Sequence, residues 1–434
     1  MPEPEKHLNR EIGVLGLSAN IINIIIGAGI FVLPAIVAAK LGSASILAYL
    51  FCGILITLMM LCYAEVGSQI TETGGAYTYL EKTFGDYVGF IAAILFLIAS
   101  ISATAAVANA IIEVIFNLIP AIESEVFKIG FFVFLYTGLA YINSIGLSKG
   151  IGLVKLITLL KLVPLLLLVI LGFKDVSFSN LVWESSPSFE QIGSTSLILF
   201  FAYTGSASAL SVSGEVINPQ KTIPRAILLS ALSITVIYIL IQTVSQGILG
   251  DSLAEYTEQP LAEVAARIAG PIGFTLLTIG TAVSMFGGVS SKILSMPRLL
   301  FAASKDSVIP IQSLSKIHPK FNTPYVAIIV FAALCFAFSA LGGFRQLAIL
   351  SSATALLIAL GIALAAMKLR RRTDVKTTEK TFRIPGGYTV PILSCIAILW
   401  LLSNLSSNKL IGIGIAILVL SLIYFVKREL QKRT

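Results

Sequence analysis

Runs of about twenty apolar residues follow one another along nearly the whole chain, separated by short polar turns. A run of that length matches the hydrocarbon thickness of a bilayer, and inside it every backbone N–H and C=O must be satisfied within the segment. Each run is therefore predicted to be a transmembrane helix. With 56% of its 434 residues apolar and 12% charged, the chain lacks the polar surface that a soluble body of this size needs. The spacing predicts twelve spans, at about 12–37, 43–67, 87–118, 127–145, 151–172, 191–213, 224–247, 264–300, 325–342, 346–367, 389–405 and 410–426. The expected fold is an all-α polytopic membrane protein.

Twelve spans put both termini on one side. With that side taken as cytoplasmic, 21 of the 30 Lys and Arg residues fall on it and 6 fall opposite, Lys155, Lys161 and Lys292 lying in or near spans. This bias orients the chain with both ends inside, at the plasma membrane. It also accounts for the net charge of +8 through orientation and contact with anionic lipid, so no nucleic-acid partner is expected. No N-glycosylation acceptor lies in a loop clearly outside the spans, which suits a bacterial inner membrane.

Several function classes lack material. The four cysteines all fall inside apolar runs without metal-ligand spacing, and the two histidines, His7 and His318, lie in polar segments. No metal site, cofactor or catalytic constellation is expected, which argues against an enzyme. Nothing resembles the repeated carbonyl-lined filter of a channel. A carrier remains.

Span 1 carries an interruption, Gly27-Ala28-Gly29, in its middle. Two weak helix formers there leave bare backbone between bulky residues. One reading is a small-residue packing seam. The other is an opened turn whose amides and carbonyls hold a polar solute. Span 6 has a second weak point from Phe200 to Ser208, and spans 1 and 6 cross the membrane in opposite senses because they are five spans apart. This predicts two inverted five-span units, 12–172 and 191–367, joined by an extracellular loop at 173–190. A cytoplasmic tail at 1–11, a basic loop at 368–388, two further spans within 389–426 and a tail at 427–434 complete the chain. A helix broken at mid-membrane offers free amides to an anion and free carbonyls to an ammonium. The amides around Ala28 and Gly29 are the candidates for a substrate carboxylate, and the carbonyls of Ile25, Phe201 and Thr204 for its ammonium.

At this point the residues resemble a known group. Gly27-Ala28-Gly29-Ile30-Phe31, Gly74-Gly75-Ala76-Tyr77, and Phe201 to Ser208 followed by Glu215 and Asn218-Pro219-Gln220-Lys221 are similar, in that order, to motifs of the amino acid–polyamine–organocation transporter superfamily. Within it they resemble the sodium-independent neutral amino acid exchangers of the L-type branch. The resemblance implies a LeuT-like five-plus-five inverted repeat with helices 1 and 6 broken, plus two extra helices. It implies alternating-access transport of amino acids by exchange or by proton coupling. Phe201 matches an aromatic gate, the alternative being core packing. Lys161 matches a lysine that stands where related carriers bind sodium, so no sodium partner is expected; snorkelling toward an interface is its other reading.

Three departures narrow the expectation. Ala207 stands where a gate-region glutamate is found, Thr71 where proline is common, and Ala28 where a hydroxyl is frequent. The pocket wall around Gly205 and Ser206 is small. Asn109 and Tyr238 are candidate wall residues or ordinary interhelical hydrogen bonders. Glu65 lies near the inner end of span 2, an interfacial position. The expected function is sodium-independent exchange of small to medium neutral L-amino acids such as alanine, serine or cysteine. A proton-coupled symporter is the alternative, with a polyamine or cationic amino acid carrier third. The partners are the amino acid and membrane lipid, and a single-span ancillary subunit is left open.

Overall fold

A computed structural model describes residues 12–70, 75–145, 151–183, 185–205, 216–305, 308–309, 311–371 and 382–433, with the side chains of 151–160, 219–220, 427 and 430–433 left out. Their apolar runs are helices, as the bilayer argument demands. In chain order these are α1 (Val14–Ile25), α2 (Ala28–Leu41), α3 (Ile46–Gln69), α4 (Ala76–Phe84), α5 (Asp86–Leu118), α6 (Glu125–Ser144) and α7 (Ile151–Gly172). They continue as α8 (Phe189–Leu199), α9 (Pro219–Leu249), α10 (Pro260–Lys305), α11 (Tyr325–Leu341), α12 (Phe344–Arg371), α13 (Thr389–Ser403) and α14 (Ser407–Arg433). Among the described residues the extended structure is one isolated bridge, Ile12 with Val216.

Among the described residues, seven segments are long and apolar enough to cross a membrane by length and composition, and α1, α11 and α13 are shorter apolar helices. The protein is thus an all-α, multi-pass membrane protein.

The first predicted span is two helices. α1 stops at Ile25, Ile26 and Gly27 take extended backbone, and α2 begins at Ala28. The second weak point behaves similarly: α8 tightens into a 3-10 turn at Phe200–Tyr203, after which Thr204 is extended. Residues 206–215, including Ser206, Ala207 and Glu215, lie outside the described residues, as do Thr71 and Gly74. The eighth span differs from its prediction. α10 is not continuous from 264, because Ala269 and Gly270 leave helical geometry immediately before Pro271. Proline disfavours helical backbone in the residue before it, and Gly270, at φ +63°, takes a conformation that a side chain would strain.

The broken helices occupy the middle of the bundle. α1 packs on α9, while α2 meets α8 and α10. α5 runs along α12, and α3 lies between α9 and α12–α13. Small residues permit the close crossings: at Gly53 of α3 an added Cβ would collide with the Thr235 side chain of α9. The bridge at Ile12, with Ile217 N–H donating to the Ile12 carbonyl at 3.0 Å, ties the start of α1 to the segment that leads into α9.

Glu65, expected at the inner end of its span, is buried inside the bundle. It is 0% exposed and accepts two bonds of 2.5 Å from Arg370 of α12 and one of 3.0 Å from the Ile384 amide. Arg370 also donates to the Ile384 carbonyl at 3.2 Å, and Ser68 binds both backbone groups of Phe382. A buried carboxylate demands such a partner set. The arrangement fixes α3, α12 and the segment before α13 to one another.

Candidate functional site

The two backbone breaks press on each other. A Cβ built at Gly29 would lie 2.7 Å from the Ala202 Cα and 2.8 Å from its Cβ, nearer than real Cβ atoms approach. On the other side Gly205, at φ +103°, would place a Cβ 3.1 Å from Ile24. Gly29 is therefore required by the backbone of the other break and Gly205 by its own positive φ, which answers the packing-seam reading in part: position 29 is small because another backbone touches it. The helix is open at the same place.

Opening leaves polar groups to satisfy. Lys161 of α7 donates to the carbonyls of Asn23 and Ile26, the latter at 2.9 Å, and is 7% exposed. Its ammonium caps the end of α1, where the helix dipole favours a cation. The Tyr238 hydroxyl, from α9, reaches the Ile25 carbonyl at 3.3 Å and the Ala202 carbonyl at 3.0 Å, bridging the two breaks. Tyr238 stands edge-on to Tyr203 and Tyr49, with ring centroids 5.1 and 6.4 Å away. The Tyr203 hydroxyl donates to the Tyr49 carbonyl at 3.1 Å.

A cavity of about 160 Å³ opens beside the breaks, walled by residues of α3, α5, α10 and α12 as well. Gly27, Ala28 and Gly29 face it, so the first turn of α2 presents its unpaired amides there. Ile25, Phe201, Thr204 and Gly205 line it too. Phe201 packs edge-on against Phe344, the first residue of α12, at 5.6 Å between centroids.

The carbonyls proposed for an ammonium are not equally free. That of Phe201 already accepts from the Thr204 amide at 3.2 Å and the Thr204 hydroxyl at 2.7 Å. Among the described residues that of Ile25 carries the single bond from Tyr238, which leaves it a lone pair.

Asn109 and Tyr238 are not among the residues lining the cavity. Asn109 is 1% exposed and donates to the carbonyls of Ala105 and of Ser339 on α11, at 3.0 and 3.1 Å. Interhelical hydrogen bonding is its place in this structure, because its amide has backbone acceptors nearer than the cavity. Tyr238 works behind the breaks. Lys292 of α10 and Ser284, two turns before it, do line the cavity, and the sequence reading passed over both. The signal was a stripe of small or polar residues at four-residue spacing, Ser284, Gly288 and Lys292, on one face of a long helix.

Tyr238→Phe should lower the thermal denaturation midpoint and slow any activity of the site. The loss corresponds to about 1–2 kcal/mol, because both carbonyls lose their donor while the ring packing stays. An unchanged midpoint in detergent would show that the hydroxyl bridge contributes nothing.

Comparison with known proteins follows the same outline. A family model described as amino acid permease matches residues 12–426. The serine/threonine exchanger SteT of Bacillus subtilis (strain 168) is 30% identical over 428 residues, covering 96% of both chains. The branched-chain amino acid permease BcaP of the same organism is 25% identical over 439 residues, covering 97% of this chain and 94% of its own. The large neutral amino acids transporter small subunit 2 of Homo sapiens is 26% identical over 338 residues, 74% of this chain and 62% of the relative.

Proposed function

The chain belongs to the amino acid permease family, and on that premise we propose that it exchanges small to medium neutral L-amino acids across the plasma membrane without sodium. It is an amino acid transporter and not an enzyme. The observation that carries the finer reading is the crossing of two opened helices, Gly29 on Ala202 and Gly205 on Ile24, beside a small cavity. The α2 amides at Ala28 and Gly29 hold the substrate carboxylate. The Ile25 carbonyl takes the ammonium, joined by those of Phe201 and Thr204 once the α8 turn loosens. Gly205 and, outside the described residues, Ser206 leave room for a short side chain.

Lys161 supports independence from sodium. Its ammonium already occupies two carbonyls at the α1 end, supplying by covalent attachment the positive charge that a bound cation would bring. The helices are read as twelve spans in a five-plus-five inverted repeat with both termini cytoplasmic, α13 and α14 standing outside the repeat. Phe201, closed on Phe344, is the gate over the substrate, and Tyr63 and Lys292 stand on the wall of the cavity beside it. A relative whose name is serine/threonine exchanger, matched over nearly its full length, supports both a small substrate and exchange.

The test is uptake of radiolabelled L-serine and L-alanine into proteoliposomes. Uptake is expected to require internal amino acid, to persist when choline replaces sodium, and to ignore a pH gradient. Sodium-dependent uptake that is indifferent to internal substrate would overturn the reading, and uptake driven by a pH gradient alone would replace exchange with proton symport.

A further inference from the structure

In the twelve-span reading only 6 of the 30 Lys and Arg residues lie on the face away from the termini. Three of these six, Lys40, Arg345 and Lys409, come from distant parts of the chain and gather around α8. The Lys40 ammonium, from the last turn of α2, donates to the Ser194 hydroxyl of α8 at 3.5 Å. The neighbouring Gly193 faces Asn404, whose side chain would lie 2.4 Å from an added Cβ, and the turn after Asn404 leads to Lys409. Past the other end of α8, Phe201 meets Phe344, and Arg345 follows it. Arg345 and Lys409 both stand near enough to repel the Lys40 charge.

Among the described residues none of the three makes an ion pair, whereas Lys128, another cation of that face, has Glu113 at 3.9 Å. Asp251 lines the same outer cleft as Lys40 without pairing with it. Arg345 and Lys409 also lie in the first turns of α12 and α14, which carry no acidic residue. Free amides make a helix start positive, so cations there are disfavoured. Three cations at such a place destabilise one another unless an anion joins them. The surroundings say which anion. Lys409 heads α14, where Leu410, Ile411, Ile415 and Leu418 are exposed, and Leu341, four residues before Arg345, is 86% exposed. Apolar surface of this extent on a membrane protein is covered by acyl chains. A phosphate joined to acyl chains answers both features, while the carboxylate of a free amino acid answers only the first.

We propose that Lys40, Arg345 and Lys409 bind the head-group phosphodiester of an anionic phospholipid in the leaflet away from the termini, against the outer half of α8. The lipid then rests on the helix that ends in the Phe200–Tyr203 turn, and its binding steadies one wall of the candidate site.

The experiment adds dioleoylphosphatidylglycerol, dioleoylphosphatidylcholine or sodium phosphate to the purified protein in mild detergent. The readouts are the denaturation midpoint and the lipids retained in native mass spectrometry. Wild type is compared with the triple variant Lys40→Gln, Arg345→Gln, Lys409→Gln, and with Lys174→Gln, Arg267→Gln as the control for loss of charge elsewhere on the same face. The phosphatidylglycerol is expected to raise the wild-type and control midpoints by about 3 °C or more beyond the phosphatidylcholine. The triple variant should lose most of that difference and retain less phosphatidylglycerol. Basic residues on the opposite face hold anionic lipid in all three proteins, so the difference between them is what is read. An equal phosphatidylglycerol response in wild type and triple variant would overturn the site, as would phosphatidylcholine acting as well as phosphatidylglycerol. Sodium phosphate reproducing the whole effect would mean a site for a free anion, and the lipid assignment would fall. Stabilisation by L-serine that disappears in the triple variant would give the cluster to the substrate and overturn the proposal likewise. Should the triple variant not fold, Lys409→Gln alone, at an exposed position, decides by the same comparison.

Discussion

Gly29→Leu is expected to abolish amino acid exchange, lowering the initial rate at least 100-fold, while the chain still inserts and purifies as a helical membrane protein. The Cβ alone decides this. At position 29 it would lie 2.7 Å from the Ala202 Cα and 3.2 Å from the Ala202 nitrogen, and backbone atoms in a 3-10 turn cannot swing aside as a flexible side chain can. Relief requires the two breaks to separate. That removes the Tyr238 bridge between the Ile25 and Ala202 carbonyls and moves the α2 amides from their place on the cavity. Since the collision belongs to the Cβ, Gly29→Ala should already lose most of the activity, with Gly130→Ala as the control because nothing lies within 4 Å of a Cβ there. Exchange by Gly29→Ala at the wild-type rate would mean that the breaks are not pressed together in the working protein, and the proposed site would fall with it.

The second large effect concerns stability. Glu65→Ala is expected to cost about 3–5 kcal/mol, since it leaves the Arg370 guanidinium buried without its counter-charge. The Ile384 amide also loses its acceptor. The denaturation midpoint in detergent should fall by about 5 °C or more. Arg370→Met should fall comparably, stranding the carboxylate. The double variant Glu65→Leu with Arg370→Met should lose less than the sum of the two, because neither charge is then left alone. A single variant with a midpoint within about 1 °C of wild type would show that the pair is solvated in the membrane-embedded protein.

The two effects separate what the bundle needs to stand from what it needs to work. The pair at Glu65 joins α3 and α12 to the segment ahead of α13, away from the breaks. The glycines at 29 and 205 give up helix stability so that two backbones can touch and open. Strain and unsatisfied backbone at membrane depth are tolerated where they line a cavity, and Lys161 and Tyr238 show the cost being met from neighbouring helices.

Much of this was legible beforehand because it is local. Whether a segment crosses the bilayer depends on its own twenty residues, so the spans could be drawn from the apolar runs, and α3, α5, α6 and α9 begin and end near the drawn limits. The break at Gly27–Gly29 was visible for the same reason, as glycine weakens a helix wherever it stands. The Phe200–Tyr203 turn was visible through the crowding of small and hydroxylated residues after it. The interruption of α10 at Ala269–Gly270 was signalled by Gly270-Pro271 and was passed over because the apolar run continues through it.

Contacts across the bundle were not legible. Glu65 and Arg370 are 305 residues apart, and a carboxylate near a span end reads as interfacial until its partner is known. Asn109 reaches Ser339 over 230 residues and so leaves the cavity wall, while Tyr238 reaches the Ile25 carbonyl over 213 and stands behind it. Lys292 was one of three lysines in or near spans, and only the small and polar Ser284 and Gly288 on its helix face set it apart from a lysine that snorkels to lipid headgroups. The sequence by itself determined that the chain is a bundle of membrane helices, with two of them weak at their centres, since the bilayer and the helix each judge a residue by its near neighbours. Only the tertiary structure decided that the two weak points meet, which carbonyls they leave free, and which polar side chains line the cavity beside them, since those depend on helix rotation and on partners hundreds of residues away.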